Sequence, residues 1–185
     1  MFRHEIIKFA KKDGIGIELG VAQGEFAERI LKTNHLKQFY GVDKYNDHHN
    51  ESEYRKTLKR LEPYTEYTKY QLHRMTFSDA LELFPNDHFD FIYIDGYAHT
   101  GEDGGKTFYD WYPKAKSGCV FGGDDYHKRW PKVIKNVDQF CKEFDLQLNV
   151  VDCSERTTWS QFPTWYIIKP YKSPSLRGAT RYNQM

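Results

Sequence analysis

Seven short runs rich in Ile, Val, Phe and Tyr recur along the sequence, separated by longer charged stretches whose apolar residues return at helical spacing. A buried parallel strand reads as a near-continuous apolar run, and the helix crossing back over it reads as an amphipathic stripe. The alternation therefore constrains the chain to an α/β fold, a mostly parallel sheet covered by helices. The runs predict strands over 16–19, 38–42, 67–72, 89–94, 118–121, 146–151 and 164–168, with helices over 25–33, 52–61, 78–84, 103–112 and 130–144. Ser78 is placed to cap the third helix, with Ala80, Leu81 and Phe84 as its apolar stripe, and Pro85 and Asn86 end it.

A length of 185 residues fits one domain, expected over 1–168, and the Pro-, Ser- and Arg-bearing segment 169–185 reads as a tail. Lys and Arg number 27 against 26 Asp and Glu, so charge gives no reason to expect nucleic acid or an anionic membrane as partner. The first residues, MFRHEIIKFAKKDG, hold no apolar run of signal-peptide length, and no segment approaches the ~20 apolar residues of a membrane span. A soluble, cytoplasmic protein is expected. Cys119, Cys141 and Cys153 lack CxxC spacing and read as buried free thiols.

The first strand runs into a glycine-bearing loop, GIGIELGVAQGEFAERIL, in which Glu18, Gly20, Gly24 and Phe26 are spaced Glu-x-Gly-x-x-x-Gly-x-Phe. Glycine lets the backbone turn tightly and approach a ligand, and the helix that follows offers N–H groups at its start. The second strand ends in Asp43, about 20 residues beyond the loop, where a carboxylate can accept hydrogen bonds from a ribose diol. The glycines do not follow the dinucleotide pattern G-x-G-x-x-G, which argues against an NAD-dependent oxidoreductase.

Asp95 ends the fourth strand, and Asp124 with Asp125 ends the fifth. Ligands of parallel sheets gather at the carboxyl ends of strands, so these three acids should converge, and either a raised pKa or a bound cation must relieve their repulsion. Oxygen ligands alone favour a hard divalent ion such as Mg²⁺. Two plainer roles stand beside this one: a turn at Asp95-Gly96 and a helix cap at Asp124. His99, four residues beyond Asp95, is a candidate general base, with His127 as its rival. His48 and His49 read as loop residues or as part of a lid.

ELGVAQGEF followed by VDKY resembles the cofactor motifs of class I S-adenosylmethionine (SAM)-dependent methyltransferases. FDFIYIDGYAH and SGCVFGGDDYH resemble the fourth and fifth strands of a small metal-dependent subgroup that includes sugar and macrolide O-methyltransferases. The resemblance spans about residues 14–168 and implies a Rossmann-like seven-stranded sheet. It implies that Glu18 and Gly20 line the amino-acid end of SAM, within a cofactor site that also takes in Gly24, Phe26 and Asp95. By the same resemblance Asp43 holds the ribose, Met75, Thr76 and Phe77 border the adenine, and Asp95, Asp124 and Asp125 hold the metal. The expected activity is methyl transfer to a hydroxyl of a small, sugar-like or diol-bearing acceptor. The [DN]-P-P-[YFW] motif of amino-methylating enzymes is absent, with Asp95-Gly96-Tyr97 in its place. A non-catalytic SAM-binding module is the alternative. No separate substrate domain is evident, so loops, the tail or a neighbouring subunit of a homo-oligomer would complete the pocket.

Overall fold

Strand β4 (Phe89–Ile94) is buried at every residue and occupies the middle of the sheet, as its unbroken apolar run requires. The computed structural model describes residues 1–46, 49–65, 69–96, 104–152 and 162–171. Around β4 lie β1 (Gly14–Leu19), β2 (Leu36–Asp43), β3 (Tyr70–Arg74), β5 (Ala115–Gly123), β6 (Asn149–Val151) and β7 (Thr164–Ile168). They form a seven-stranded sheet in the order β3-β2-β1-β4-β5-β7-β6. Pairing is parallel from β3 through β5, and β7 runs antiparallel to both β5 and β6. The chain order reverses between β1 and β4, which is where a parallel sheet opens a crevice for ligands.

Five α-helices are described: α1 (Glu25–Lys32), α2 (Glu51–Leu61), α3 (Phe77–Ala80), α4 (Lys106–Trp111) and α5 (Pro131–Glu143). Alternate strand residues divide the core into two apolar layers. Ile17, Leu19, Ile92, Ile94 and Phe121 pack with Ala80, Phe108, Trp111, Val137 and Phe140 from α3, α4 and α5. On the opposite face Phe39, Phe91, Tyr93 and Val120 pack with Phe26, Ala27, Ile30 and Leu31 of α1 and Leu61 of α2. Ile6, Ile7 and Ala10 join this second layer from a 3-10 helix at Arg3–Phe9 and its C-cap, an element the sequence reading did not assign.

Three expectations are corrected in detail. The cap of α3 is Thr76, whose hydroxyl accepts from the Asp79 amide at 3.1 Å; Ser78 lies inside the helix. Strand β6 begins at Asn149 because Leu146 instead donates its amide to Cys141 O (2.8 Å), closing α5. Strand β3 lies later than 67–72, running from Tyr70 to Arg74 so that Arg74 pairs with Asp43 at the end of β2. Among the described residues no helix is long and apolar enough to cross a membrane.

Candidate active site

The turn between β1 and α1 is fixed by contacts that only glycine and an acid can supply. Gly20 has φ +95°, and a Cβ there would fall 1.4 Å from the carbonyl oxygen of Asp95. Gly24 caps α1 in the left-handed region, at φ 78°. Between them, Asp43 Oδ2 accepts the amides of Val21 (3.0 Å) and Ala22 (2.9 Å), while Oδ1 accepts that of Tyr45 (3.1 Å). The Tyr45 and Thr57 hydroxyls both donate to Ala22 O, at 2.8 and 2.7 Å. Asp43 thus holds the loop as well as the end of β2. A carboxylate offers about four acceptor positions, so among the described residues one on Oδ1 is left for a ligand hydroxyl.

Glu18 points to the α1 face of the sheet and is 1% exposed, yet its Oε2 has no hydrogen-bond partner among the described residues. Burial, with repulsion from Asp95, pushes its pKa well above the usual carboxylate range although Arg3 pulls the other way. The Tyr70 hydroxyl, also without a partner there, lies over Gly41, the register neighbour of Glu18. Sequence reasoning did not single out Tyr70; its place opposite Phe39 in β3 looks like ordinary core.

Asp95 and Asp124 do converge, and a residue absent from the sequence reading lies between them. Arg3 Nη1 donates to Asp124 Oδ2 at 2.5 Å, and Arg3 Nη2 donates to Asp95 Oδ2. Burial opposes the Arg3 charge, but Asp124, Tyr93 and Asp95 outweigh it and hold the guanidinium pKa well above its ordinary value. Burial also pushes the Asp124 carboxyl upward, against the pull of Arg3, with repulsion from Asp95 and Asp125 adding to it. Asp125 follows at φ 61° in a half-exposed turn, and its carbonyl accepts the His127 amide at 2.7 Å. The cap role weighed for Asp124 does not apply: its side chain bonds Arg3, and the N-cap of α5 is Trp130.

For a divalent ion, the arrangement is a poor fit. A guanidinium already holds one oxygen of each acid, and among the described residues no group of three His, Cys, Asp or Glu side chains is arranged to hold a metal. For SAM, the fit is better: Glu18 presents an unsatisfied buried oxygen beside the glycine turn, and Asp43 retains one acceptor position. Phe26 lies under Arg3 and stacks on Tyr93 (4.1 Å between centroids), so it forms the floor of the acidic pair. Met75 and Phe77 pack against the core at the carboxyl end of β3, and Phe77 also borders Gly96. Thr76 is exposed and engaged in its cap. His127 is half-buried, with Nδ1 accepting the Arg129 amide (3.2 Å) and its ring against Phe162. His49 pairs with Glu53 at 3.0 Å. His48, His99 and Cys153 lie outside the described residues.

The sheet order, with its reversal between β1 and β4, defines a fold class. The SAM-dependent O-methyltransferase of Thermotoga maritima has a similar structure at TM-score 0.63 and 12% identity, over 92% of this chain and 64% of that one. The precorrin-6y C5,15-methyltransferase of Geobacter metallireducens scores 0.62 at 13% identity, covering 89% and 83%. The spermidine synthase of Thermotoga maritima scores 0.66 at 13%, covering 90% and 59%. At such identities the likeness concerns the fold, the Rossmann-like sheet of class I methyltransferases. A family model described as a methyltransferase domain matches residues 17–126, more than half of the chain, and the chain belongs to that family. A search of curated proteins finds no match to the sequence.

Proposed function

We propose that this methyltransferase moves the methyl group of SAM to a hydroxyl of a small, sugar-like or diol-bearing molecule. The observation that carries the reading is Glu18, a buried acid directly before the Gly20 turn with an oxygen that has no hydrogen-bond partner among the described residues. An unpaired buried acid is costly, and a cationic ligand arriving beside it offsets that cost. Glu18 would hold the amino-acid end of SAM, and Asp43 would take a ribose hydroxyl on its remaining acceptor position while its other bonds keep the loop in shape.

When bound, SAM supplies an already activated methyl group, so the protein need only bind, align and remove a proton. Alignment of two reactants is worth about 7–11 kcal/mol over an encounter in solution. His99 and His127 are the candidates for the proton, as both follow the strand ends β4 and β5 in sequence. The hydroxyl acceptor is supported by the β4 and β5 segments, which resemble those of sugar and macrolide O-methyltransferases, and by the absence of the amino-methylating motif. The acceptor pocket would be completed by loops or a neighbouring subunit.

The test is a methyl-transfer screen with labelled SAM over polyhydroxylated small molecules, with and without chelator, and identification of the methylated atom by NMR. Methylation of nitrogen or carbon in preference to any hydroxyl would reject the oxygen acceptor. Failure to bind SAM by calorimetry would reject the cofactor assignment itself.

A further inference from the structure

The acids at the ends of β4 and β5 face a guanidinium, and the way it is held decides what else the pair can take. Arg3 is 3% exposed and forks between Asp95 and Asp124, donating from a different nitrogen to each. Its guanidinium lies over the rings of Phe26 and Tyr93, 4.9 and 5.4 Å from their centroids. The backbone that carries it is anchored as well. Ile6 is fully buried and Ile7 nearly so, and Ala10 follows at the end of the same 3-10 helix, all packed on the α1 face of the sheet. Phe2 N donates to Glu5 Oε2 at 2.5 Å across the first turn.

A planar, permanently charged fork fixed at both ends differs from a loose surface arginine. A divalent ion bridging the same two acids would either compete for Asp95 Oδ2 and Asp124 Oδ2, the oxygens that Arg3 holds, or use the remaining oxygens, Asp124 Oδ1 among them, directly beside the guanidinium. It would also place a double positive charge against the guanidinium in a buried setting, where such repulsion is poorly screened. We propose that Arg3 is the resident cation of the Asp95–Asp124 pair, taking the place of a divalent ion. The 3-10 helix is then part of the site, a positioning element that sets the spacing of the two acids. This role of Arg3 holds whatever the methyl acceptor is.

Binding of Mn²⁺ to the full chain, followed by electron paramagnetic resonance of the free ion, tests the assignment without any turnover. The wild-type protein is expected to leave millimolar Mn²⁺ free. Arg3→Ala is expected to gain a site for one ion, and Arg3→Ala/Asp124→Asn to lose it again. Arg3→Lys, which keeps a charge there, should remain silent. Uptake by the wild-type protein that Asp124→Asn abolishes would overturn the proposal, as would a folded Arg3→Ala that binds no more Mn²⁺ than wild type. Where Arg3→Ala fails to fold, Arg3→Met takes its place, since it keeps an apolar stem over Phe26 and Tyr93.

Discussion

Gly20 and Asp95 lie in contact across β1 and β4: any Cβ on Gly20 would meet the Asp95 carbonyl oxygen at 1.4 Å. The contact is reinforced by the Asp95 amide, which donates to Leu19 O at 2.7 Å. Gly20→Ala must therefore part the two strand ends or distort the turn. We expect it to lose more than about 3 kcal/mol of stability, or to fail to fold. Gly24→Ala should cost about 1–2 kcal/mol, chiefly for holding a residue with a Cβ at φ +78°, since the nearest atoms to that Cβ are side-chain carbons of Leu61 and Thr57 at 3.2 Å. Urea titration of both variants checks the order. Equal losses would mean that strand contact does not set the requirement at Gly20.

Asp43→Ala should weaken SAM binding by about 1–3 kcal/mol, the range for hydrogen bonds to a carboxylate. It should also lower the melting temperature, because the amides of Val21, Ala22 and Tyr45 lose their acceptor. Calorimetry at a temperature where the variant remains folded separates the two effects. Unchanged affinity there would remove Asp43 from the ribose and leave it as the clamp of the loop.

Glu18 should make the protein less stable as the solution becomes more alkaline. Its folded pKa lies above the ordinary carboxyl value, so its contribution is fully present below about pH 4 and is lost as pH rises through the raised value. Glu18→Gln removes that titration. Relative to wild type, the variant should gain stability between about pH 5 and about pH 8 while binding SAM more weakly. Urea midpoints at the two pH values read the effect, and a wild-type-to-variant difference that is the same at both would contradict it.

If His99 takes the acceptor's proton, His99→Ala should lower single-turnover rates by roughly 10² to 10⁴ while leaving SAM affinity nearly intact. The rate should rise with pH through one apparent pKa, since the base works when neutral. A defect confined to His127→Ala would transfer the role to the residue two positions beyond Asp125. Near wild-type chemistry in both variants would leave proton removal to solvent.

Where the determinants are local, the sequence revealed them. The FDFIYI run could be buried on both faces only as an interior strand, and the spacing of Glu18, Gly20 and Gly24 marked the turn before α1. The Thr76 cap was also legible in principle, since Thr76 and Asp79 stand three apart as in a capping box; the neighbouring Ser78 simply offered the same hydroxyl. Arg3 could not be found this way. Its partners lie 92 and 121 positions along the chain, and a single arginine in the charged segment MFRHEIIKF carries no periodic signal. The need for a positive charge beside Asp95 and Asp124 was readable, and Arg3 supplies one from a distant part of the chain.

The distance in sequence between Arg3 and Asp124 also sets a timetable. A chain grows at roughly 5–20 residues per second, so the arginine waits roughly 6–24 seconds for its second carboxylate to be made. Closing so large a loop carries an entropic cost that local helices do not, and the reward comes only once β4 and β5 are side by side. During that interval α1 and the β1–β2 pair can form from residues already present, while Arg3 has at most one of its two carboxylates to bind. We therefore expect the clasp between Arg3 and the two acids to close late in folding, since it needs the ends of β4 and β5 side by side.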